Sequence, residues 1–226
     1  DGYSDLIVGV YNQLVDSHYV NGYVYLGSIN GLSGNNPAWT TSTPSDIIYY
    51  GFSFCISDAG DINNDGYDDV ISAANGHGYV PGHVFIYFGA ANKKMFEPAD
   101  IVITQNLLYF GYSVSAAGDI NSDGYGDIVI GGSWYGGTFV YYGSQYGLNL
   151  NFDVLNIQSI KATSAGDFND DGFGDIITSN YNISYLYFGS VSGIGTIPVT
   201  INDGANILSS GDINGDGISD IVTGKL

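Results

Sequence analysis

Four kinds of short run recur in a fixed order along this chain. The first is an alternating segment such as Phe54-Cys-Ile-Ser-Asp58 or Tyr112-Ser-Val-Ser-Ala116. The second is an apolar run that opens on Asp: Asp69-Val-Ile-Ser72, Asp127-Ile-Val-Ile130, Asp175-Ile-Ile-Thr178 or Asp220-Ile-Val-Thr223. A third run is aromatic and ends in Gly, as in Tyr23-Val-Tyr-Leu-Gly27, Val84-Phe-Ile-Tyr-Phe-Gly89, Phe139-Val-Tyr-Tyr-Gly143 and Tyr185-Leu-Tyr-Phe-Gly189. The fourth is weaker, for example Asp100-Ile-Val-Ile-Thr104 and Ile197-Pro-Val-Thr-Ile201. Aromatic and β-branched runs broken by Gly, Asn, Asp and Ser predict short strands joined by turns. The second run is nearly continuous in Ile and Val, as expected of a strand covered on both faces by neighbouring sheets. Four strands per unit, repeated in order, predict an all-β fold: a β-propeller of four-stranded antiparallel blades. A sandwich of irregular hairpins is the alternative, but it does not need one loop chemistry at one place in every unit. One domain over 1–226 is expected, with units of roughly 1–48, 49–106, 107–156, 157–202 and 203–226.

Between the first and second runs of each unit lies an acidic loop. Four copies align without gaps, beginning at Gly60, Gly118, Gly166 and Gly211, and Asp1-Gly-Tyr-Ser-Asp5 is half of a fifth. The first Asp of the four copies is spaced by 58, 48 and 45 residues, near the length of a propeller blade. Position 1 is Asp61, Asp119, Asp167 or Asp212. Position 3 is Asn63, Asn121, Asn169 or Asn214, and position 5 is Asp65, Asp123, Asp171 or Asp216. Gly stands at position 6, and position 9 is Asp69, Asp127, Asp175 or Asp220. A tight loop turns alternate side chains inward, so the donors at 1, 3 and 5 converge while Gly makes the bend. The main-chain carbonyl of position 7 (Tyr67, Tyr125, Phe173, Ile218) adds an oxygen, leaving its side chain free to vary, and Asp at position 9 closes the set, with one oxygen or both. An all-oxygen cage with three carboxylates suits Ca2+, whereas Zn2+ would call for Cys or His. An EF-hand needs Glu at position 12 with a helix behind it; here position 12 is Ser72, Ile130, Thr178 or Thr223, inside a predicted strand, so that reading and the dockerin one fail.

Charge supports the cation. The chain carries 23 acidic and four basic residues and a formal net charge of −19. That balance excludes nucleic acid and anionic membrane surfaces as partners. Twelve of the 22 Asp residues stand at the ligand positions 1, 5 and 9 of the four complete loops, and four Ca2+ would take the net charge to −11. The half-site at Asp1 and Asp5 lacks positions 1 and 3 and is expected to bind metal poorly. With 34 Gly, one Met and one Glu (Glu97), the composition is poor in helix formers. No run of about 18 apolar residues exists to span a bilayer as a helix. Cys55, the only cysteine, reads as a packed or half-buried thiol and allows no internal disulfide.

The residues resemble the FG-GAP repeat family, best known from the propeller domains of integrin α subunits. The resemblance covers essentially the whole chain. Phe110-Gly111 matches the Phe-Gly element, the Asp loops match the family's calcium-binding hairpin loop, and Ile130-Gly-Gly-Ser133 stands where Gly-Ala-Pro would be. The pair is Phe52-Ser53 in the preceding unit and is missing at Gln158-Ser159, and no unit keeps a literal Gly-Ala-Pro. The resemblance implies a ring of typically seven blades, each inner hairpin carrying Ca2+ on one face. The chain opens inside one loop and ends just after another, so an open arc of a larger ring, cut from a longer protein, is expected.

No nucleophile stands with a base, and Asp16, Asp46, Asp100, Asp153 and Asp203 are scattered without acid-base spacing, so no catalytic role is expected. His18, His77 and His83 read as surface residues of variable loops. The expected function is an extracellular calcium-binding module for cell adhesion or protein-ligand binding, with Ca2+ structural and the partner met by loops between strands. The remaining blades or domains of a parent chain are further partners. Two alternatives stand beside it: a carbohydrate-binding propeller using Trp39, Trp134, Tyr135 and other tyrosines, and a non-catalytic accessory domain of a secreted hydrolase. Placement outside the cell rests on the metal, since simple loops of this kind bind Ca2+ at about 0.1 to 1 mM. Asn182-Ile-Ser184 is a possible glycosylation sequon.

Overall fold

A computed structural model gives the arrangement of residues 3–15, 18–43, 54–75, 81–93, 96–107, 109–132, 137–155, 159, 161–180, 183–201 and 207–224. In chain order the strands are β1 (Leu6–Val15), β2 (His18–Tyr25), the short β3 (Gly27–Ser28) and β4 (Gly31–Leu32), β5 (Trp39–Thr43), β6 (Phe54–Gly60) and β7 (Asp69–Ala74). Next come β8 (Gly82–Tyr87), β9 (Glu97–Pro98), β10 (Ile101–Gln105), β11 (Ser113–Gly118), β12 (Asp127–Gly131), β13 (Thr138–Ser144) and β14 (Gly147–Leu155). The last are β15 (Lys161–Gly166), β16 (Asp175–Ser179), β17 (Ser184–Tyr187), β18 (Val199–Ile201), β19 (Ile207–Gly211) and β20 (Asp220–Gly224).

Three sheets are the four-stranded antiparallel blades that the sequence predicts: β6-β7-β8-β10, β11-β12-β13-β14 and β15-β16-β17-β18. Each Asp loop joins the first two strands of its sheet, and β19-β20 is the same hairpin in the last unit. The first sheet differs. Its order is β1-β2-β5-β9, and its outermost pair, β5 with β9, is parallel. Residues of the second unit supply β9. Phe96, at φ 63°, turns the chain so that its N–H donates to Thr40 Oγ1 and its carbonyl accepts from Ser42 Oγ. Pro98 suits such an edge position, where no ladder donor is needed.

The core lies between sheets. One cluster, with Ile71, Ala73, Val84, Ile86, Phe110, Val114, Ile128, Ile130 and Phe139, fills the space between the second and third sheets. A second, with Val129, Val140, Ile176 and Tyr187, joins the third to the fourth. Smaller clusters hold the first sheet to the second and the β19-β20 hairpin to the fourth. Strands β7, β12 and β16 are buried along their whole length, which is why they lack the alternation of a half-exposed strand. Phe110, fully buried, shares the first cluster with Ala73 and Val84 of the second sheet and meets Phe139 of the third edge-on at 5.3 Å, so the Phe-Gly element is an inter-blade wedge.

On the inner side, β1, β6, β11, β15 and β19 pack in succession. Hydroxyls stitch neighbours there: Ser115 Oγ and Thr163 Oγ1 lie 3.1 Å apart, and Ser210 Oγ donates to the Ser164 carbonyl at 2.9 Å.

The glycines that end the aromatic strands are close-approach positions. A Cβ on Gly143 would lie 2.3 Å from the Gly126 carbonyl oxygen of its own loop and 2.7 Å from that of Ile62 in the preceding loop; Gly189 repeats this with Gly174 and Ile120. Those oxygens belong to backbone and cannot step aside cheaply. Gly143→Ala is therefore expected to lower stability by about 1 to 3 kcal/mol in urea unfolding. Gly34→Ala, with nothing near its added methyl group, is expected to change it by less than about 0.5 kcal/mol. Equal effects at the two positions would contradict this packing.

Candidate metal centre

The four Asp loops share one hydrogen-bond plan. At position 1, Asp61 takes the Asp65 N–H on Oδ1 at 3.0 Å and the Gly66 N–H on Oδ2 at 2.8 Å. Asp119, Asp167 and Asp212 do the same with the fifth and sixth residues of their loops. At position 5, Oδ1 of Asp65, Asp123, Asp171 and Asp216 accepts the N–H of position 7. The Asn at position 3 donates Nδ2 to the other oxygen of position 5 in all four loops. The backbone makes this possible by entering the left-handed region twice. Position 6 glycines lie at φ 91°, 90°, 87° and 89°, and position 4 is Asn64, Ser122, Asp170 or Gly215 at 56°, 56°, 57° and 78°. Asn, Asp and Gly tolerate that conformation best, so three of the four residues at position 4 carried a signal of the bend that the sequence reading did not use.

Position 9 has a second duty. Asp69 accepts the Ile62 N–H on Oδ2 at 3.0 Å and the Gly89 N–H on Oδ1 at 2.7 Å. Asp127 takes Ile120 and Gly143, and Asp175 takes Phe168 and Gly189, in the same way. Asp5 of the half-loop accepts the Gly27 N–H at 2.8 Å, and Asp220 accepts that of Ile213. These carboxylates tie the loop to the end of the third strand, and an oxygen that accepts one such bond keeps a lone pair for a cation.

The donors fit a hard cation by chemistry: carboxylate, amide and carbonyl oxygens only, in each loop. Among the described residues no three Asp, Glu, His or Cys side chains are drawn together closely enough to form a metal-holding group by themselves. Negative charge gathers there, and among the described residues no ion pair compensates it. The one ion pair found among the described residues joins Lys93 to Asp100 at 3.3 Å, away from the loops. Burial pushes the Asp69 and Asp127 carboxyls up to about 7, against the pull of their two N–H donors and with repulsion from the Asp residues at positions 1 and 5 added. Asp175 moves in the same direction for the same reasons.

Other candidates from the sequence find structural places. His83 is not a loop surface residue: it is buried on β8, with Nδ1 2.9 Å from Thr104 Oγ1. Trp39 is 7% exposed, packed near Tyr87 with Lys93 over its ring, so it offers no open stacking platform. Cys55 is half-buried against the core between the second and third sheets, and burial raises its thiol pKa. Asp100 accepts the Phe88 N–H as well as Lys93, and Asp153 accepts the Tyr142 hydroxyl at 2.7 Å. Asp1, Asp16, Asp46, Phe52, Ser53, His77, Trp134, Tyr135, Asn182 and Asp203, and the side chain of His18, lie outside the described residues. The sequence reading also missed Tyr two residues before each strand-ending Gly. Tyr87, Tyr141 and Tyr187 are all buried, and Tyr87 donates to the Ser42 carbonyl of the neighbouring sheet. The signal was the recurrence of Tyr-x-Gly at Tyr25, Tyr87, Tyr141 and Tyr187.

A pH dependence follows for the metal-free chain. A carboxyl whose folded pKa is about 7, against 3.8 ordinarily, holds protons that the unfolded chain has released between those values. Stability in chelator should therefore fall as pH rises from about 4 to 7. Urea unfolding in chelator is expected to give a higher midpoint at pH 5 than at pH 8. Excess Ca2+ is expected to remove or reverse that order, because protons compete with metal for the same oxygens. A higher midpoint in chelator at pH 8 would contradict the burial of these groups.

Comparison with known proteins agrees with the loop geometry. Residues 61–130 match the family described as FG-GAP-like repeat. Integrin alpha-6 of Gallus gallus is 31% identical over 135 residues, which is 58% of this chain and 12% of that protein. Human integrin alpha-6 is 31% identical over 134 residues, and integrin alpha-4 of Xenopus laevis 34% over 137, again across 58% of this chain. The chain thus spans about an eighth of the length of these relatives. Among solved structures, rhamnogalacturonan lyase YesW aligns over 78% of this chain and 41% of its own at 14% identity, with a TM-score of 0.48, too loose a likeness to bear on function. The sequence matches support an FG-GAP repeat family, and the matched segment holds two complete Asp loops, Asp61–Asp69 and Asp119–Asp127.

Proposed function

We propose that this chain is an extracellular calcium-binding propeller module for cell adhesion or protein-ligand binding, in which Ca2+ stiffens the inner hairpins. The observation that carries the reading is the one hydrogen-bond plan built four times around carboxylates that no ion pair among the described residues neutralises. The ligands in each loop are the side chains at positions 1, 3, 5 and 9 and the carbonyl of position 7. Ca2+ there would relieve the repulsion among the carboxylates and hold the turn that positions 4 and 6 already shape. Similarity to integrin alpha chains supports a role in adhesion and a place at the cell surface, and loops of millimolar affinity would fill only where calcium is plentiful. No helix among the described residues is long and apolar enough to cross a membrane. The role is binding rather than catalysis; Asp100 and Asp153, outside the loops, are engaged in structural bonds. The burial of Trp39 weighs against the carbohydrate-binding alternative.

Each occupied site should stabilise the fold by about 1.4 to 2.7 kcal/mol at about 10 mM Ca2+, for a Kd of about 0.1 to 1 mM. Thermal unfolding is expected to show a Tm several degrees higher in Ca2+ than in chelator, with Mg2+ giving less. Asp123→Asn is expected to reduce the calcium stoichiometry by one in equilibrium dialysis. An unchanged Tm together with no bound calcium would overturn the reading.

A further inference from the structure

The Asp loops of neighbouring blades touch through main chain. The Gly126 N–H, at position 8 of the second loop, donates to the Asp61 carbonyl, at position 1 of the first, at 2.8 Å. The Gly174 N–H, at position 8 of the third loop, donates to the Asp119 carbonyl of the second, also at 2.8 Å. Each bond lies between two peptide units that already serve the loops. The Asp61–Ile62 unit offers its carbonyl to Gly126, and its N–H goes to Asp69 Oδ2. The Tyr125–Gly126 unit gives its N–H to Asp61, and in a trans peptide its carbonyl faces the opposite way. That carbonyl is the position 7 oxygen of the second loop. A continuous relay therefore runs from the position 9 carboxylate of one loop, through two peptides, to the position 7 carbonyl of the next. Asp127, Ile120, Asp119, Gly174 and Phe173 repeat it between the second and third loops.

From this relay we infer that calcium binds the first three loops with positive cooperativity, each filled loop preparing its neighbour. The inference rests on the proposed calcium sites. Ca2+ in the first loop fixes Asp61, and with it the acceptor that aims the Tyr125 carbonyl. The second loop then has less ordering left to do when its own ion arrives, which is the condition for cooperativity without a large structural change. Hydrogen bonds in series also polarise one another, so the effect and the geometry act in the same direction.

The fourth loop is a control within the molecule. Its position 8 is Ser219 rather than Gly, and among the described residues no bond from its N–H to the Asp167 carbonyl is found. Glycine is what permits the close contact elsewhere: a Cβ on Gly126 would sit 3.0 Å from the Asp61 oxygen, and one on Gly174 3.0 Å from that of Ala117. The fourth loop should therefore fill independently of the other three.

The test is a calcium titration followed site by site through the backbone amide NMR signals of Gly66, Gly124, Gly172 and Gly217, with thermal unfolding of every variant to confirm folding. Asp65→Asn, which weakens the first loop, is expected to weaken calcium binding at the second loop about fivefold or more, the low end of ordinary coupling, and to leave the fourth unchanged. In a Gly126→Ala background, where the added methyl group presses on the Asp61 carbonyl and lengthens the contact between these loops, the effect of Asp65→Asn on the second loop is expected to shrink or vanish. Calcium binding at all four loops with the second indifferent to Asp65→Asn would overturn the cooperativity and leave the calcium sites standing. No calcium-dependent shift at any loop would overturn both. Equal weakening of the second and fourth loops by Asp65→Asn would also overturn the inference, since it would report general destabilisation.

Discussion

The structure depends on one buried acceptor repeated along the chain: the Asp that closes each acidic loop and opens the strand after it. Asp69, Asp127 and Asp175 are fully shielded from solvent, and each accepts two main-chain N–H groups from different elements. One donor is the second residue of the loop, so the loop is closed on itself. The other is the glycine that ends the third strand, so hairpin and sheet are locked in register. A buried carboxylate is costly unless it is paired or saturated with hydrogen bonds. Here the saturation is incomplete in charge, since two neutral donors do not cancel burial and the nearby acids, and a cation is the natural complement. With a cation in the proposed site, the same residue would link folding of the blade to filling of the loop.

Packing around this acceptor explains the glycines and tyrosines of the third strand. The strand must end where the carbonyls of two loops converge, which only a residue without a side chain can do. Two residues earlier, Tyr fills the space between blades with its ring, and in the second sheet its hydroxyl reaches the outer strand of the sheet before. The third and fourth sheets are therefore fitted to their predecessors at the loop and at the ring, and the third also at the Phe110 wedge, and the apolar clusters lie between sheets rather than within one.

Much of this was legible in the sequence because the repeat averages out local ambiguity. The continuous Ile and Val of residues 127–131 and 175–179 could have been a buried helix segment in isolation; preceded each time by the same acidic loop, they could only be the same strand. The Asp, Asn and Gly positions made the turn legible directly. What stayed hidden was long-range. Nothing near Glu97 and Pro98 announces that they add a parallel strand to the first sheet, because the partner lies more than fifty residues away. His83 looked like a loop residue because its neighbours Gly82 and Pro81 are turn formers, yet its burial is decided by Thr104 across the sheet. Likewise, the Gly at position 8 of two loops reads as a turn residue until the neighbouring loop is seen against it.

The proposed function stands on the acidic loops being cation sites, and the most direct measurement is anomalous diffraction from crystals grown in Ca2+ and soaked in a lanthanide of similar size. The expected result is one strong peak inside each of the loops 61–69, 119–127, 167–175 and 212–220, bounded by the oxygens at positions 1, 3, 5, 7 and 9. Anomalous density only on outlying carboxylates, with the four loops holding water, would contradict it.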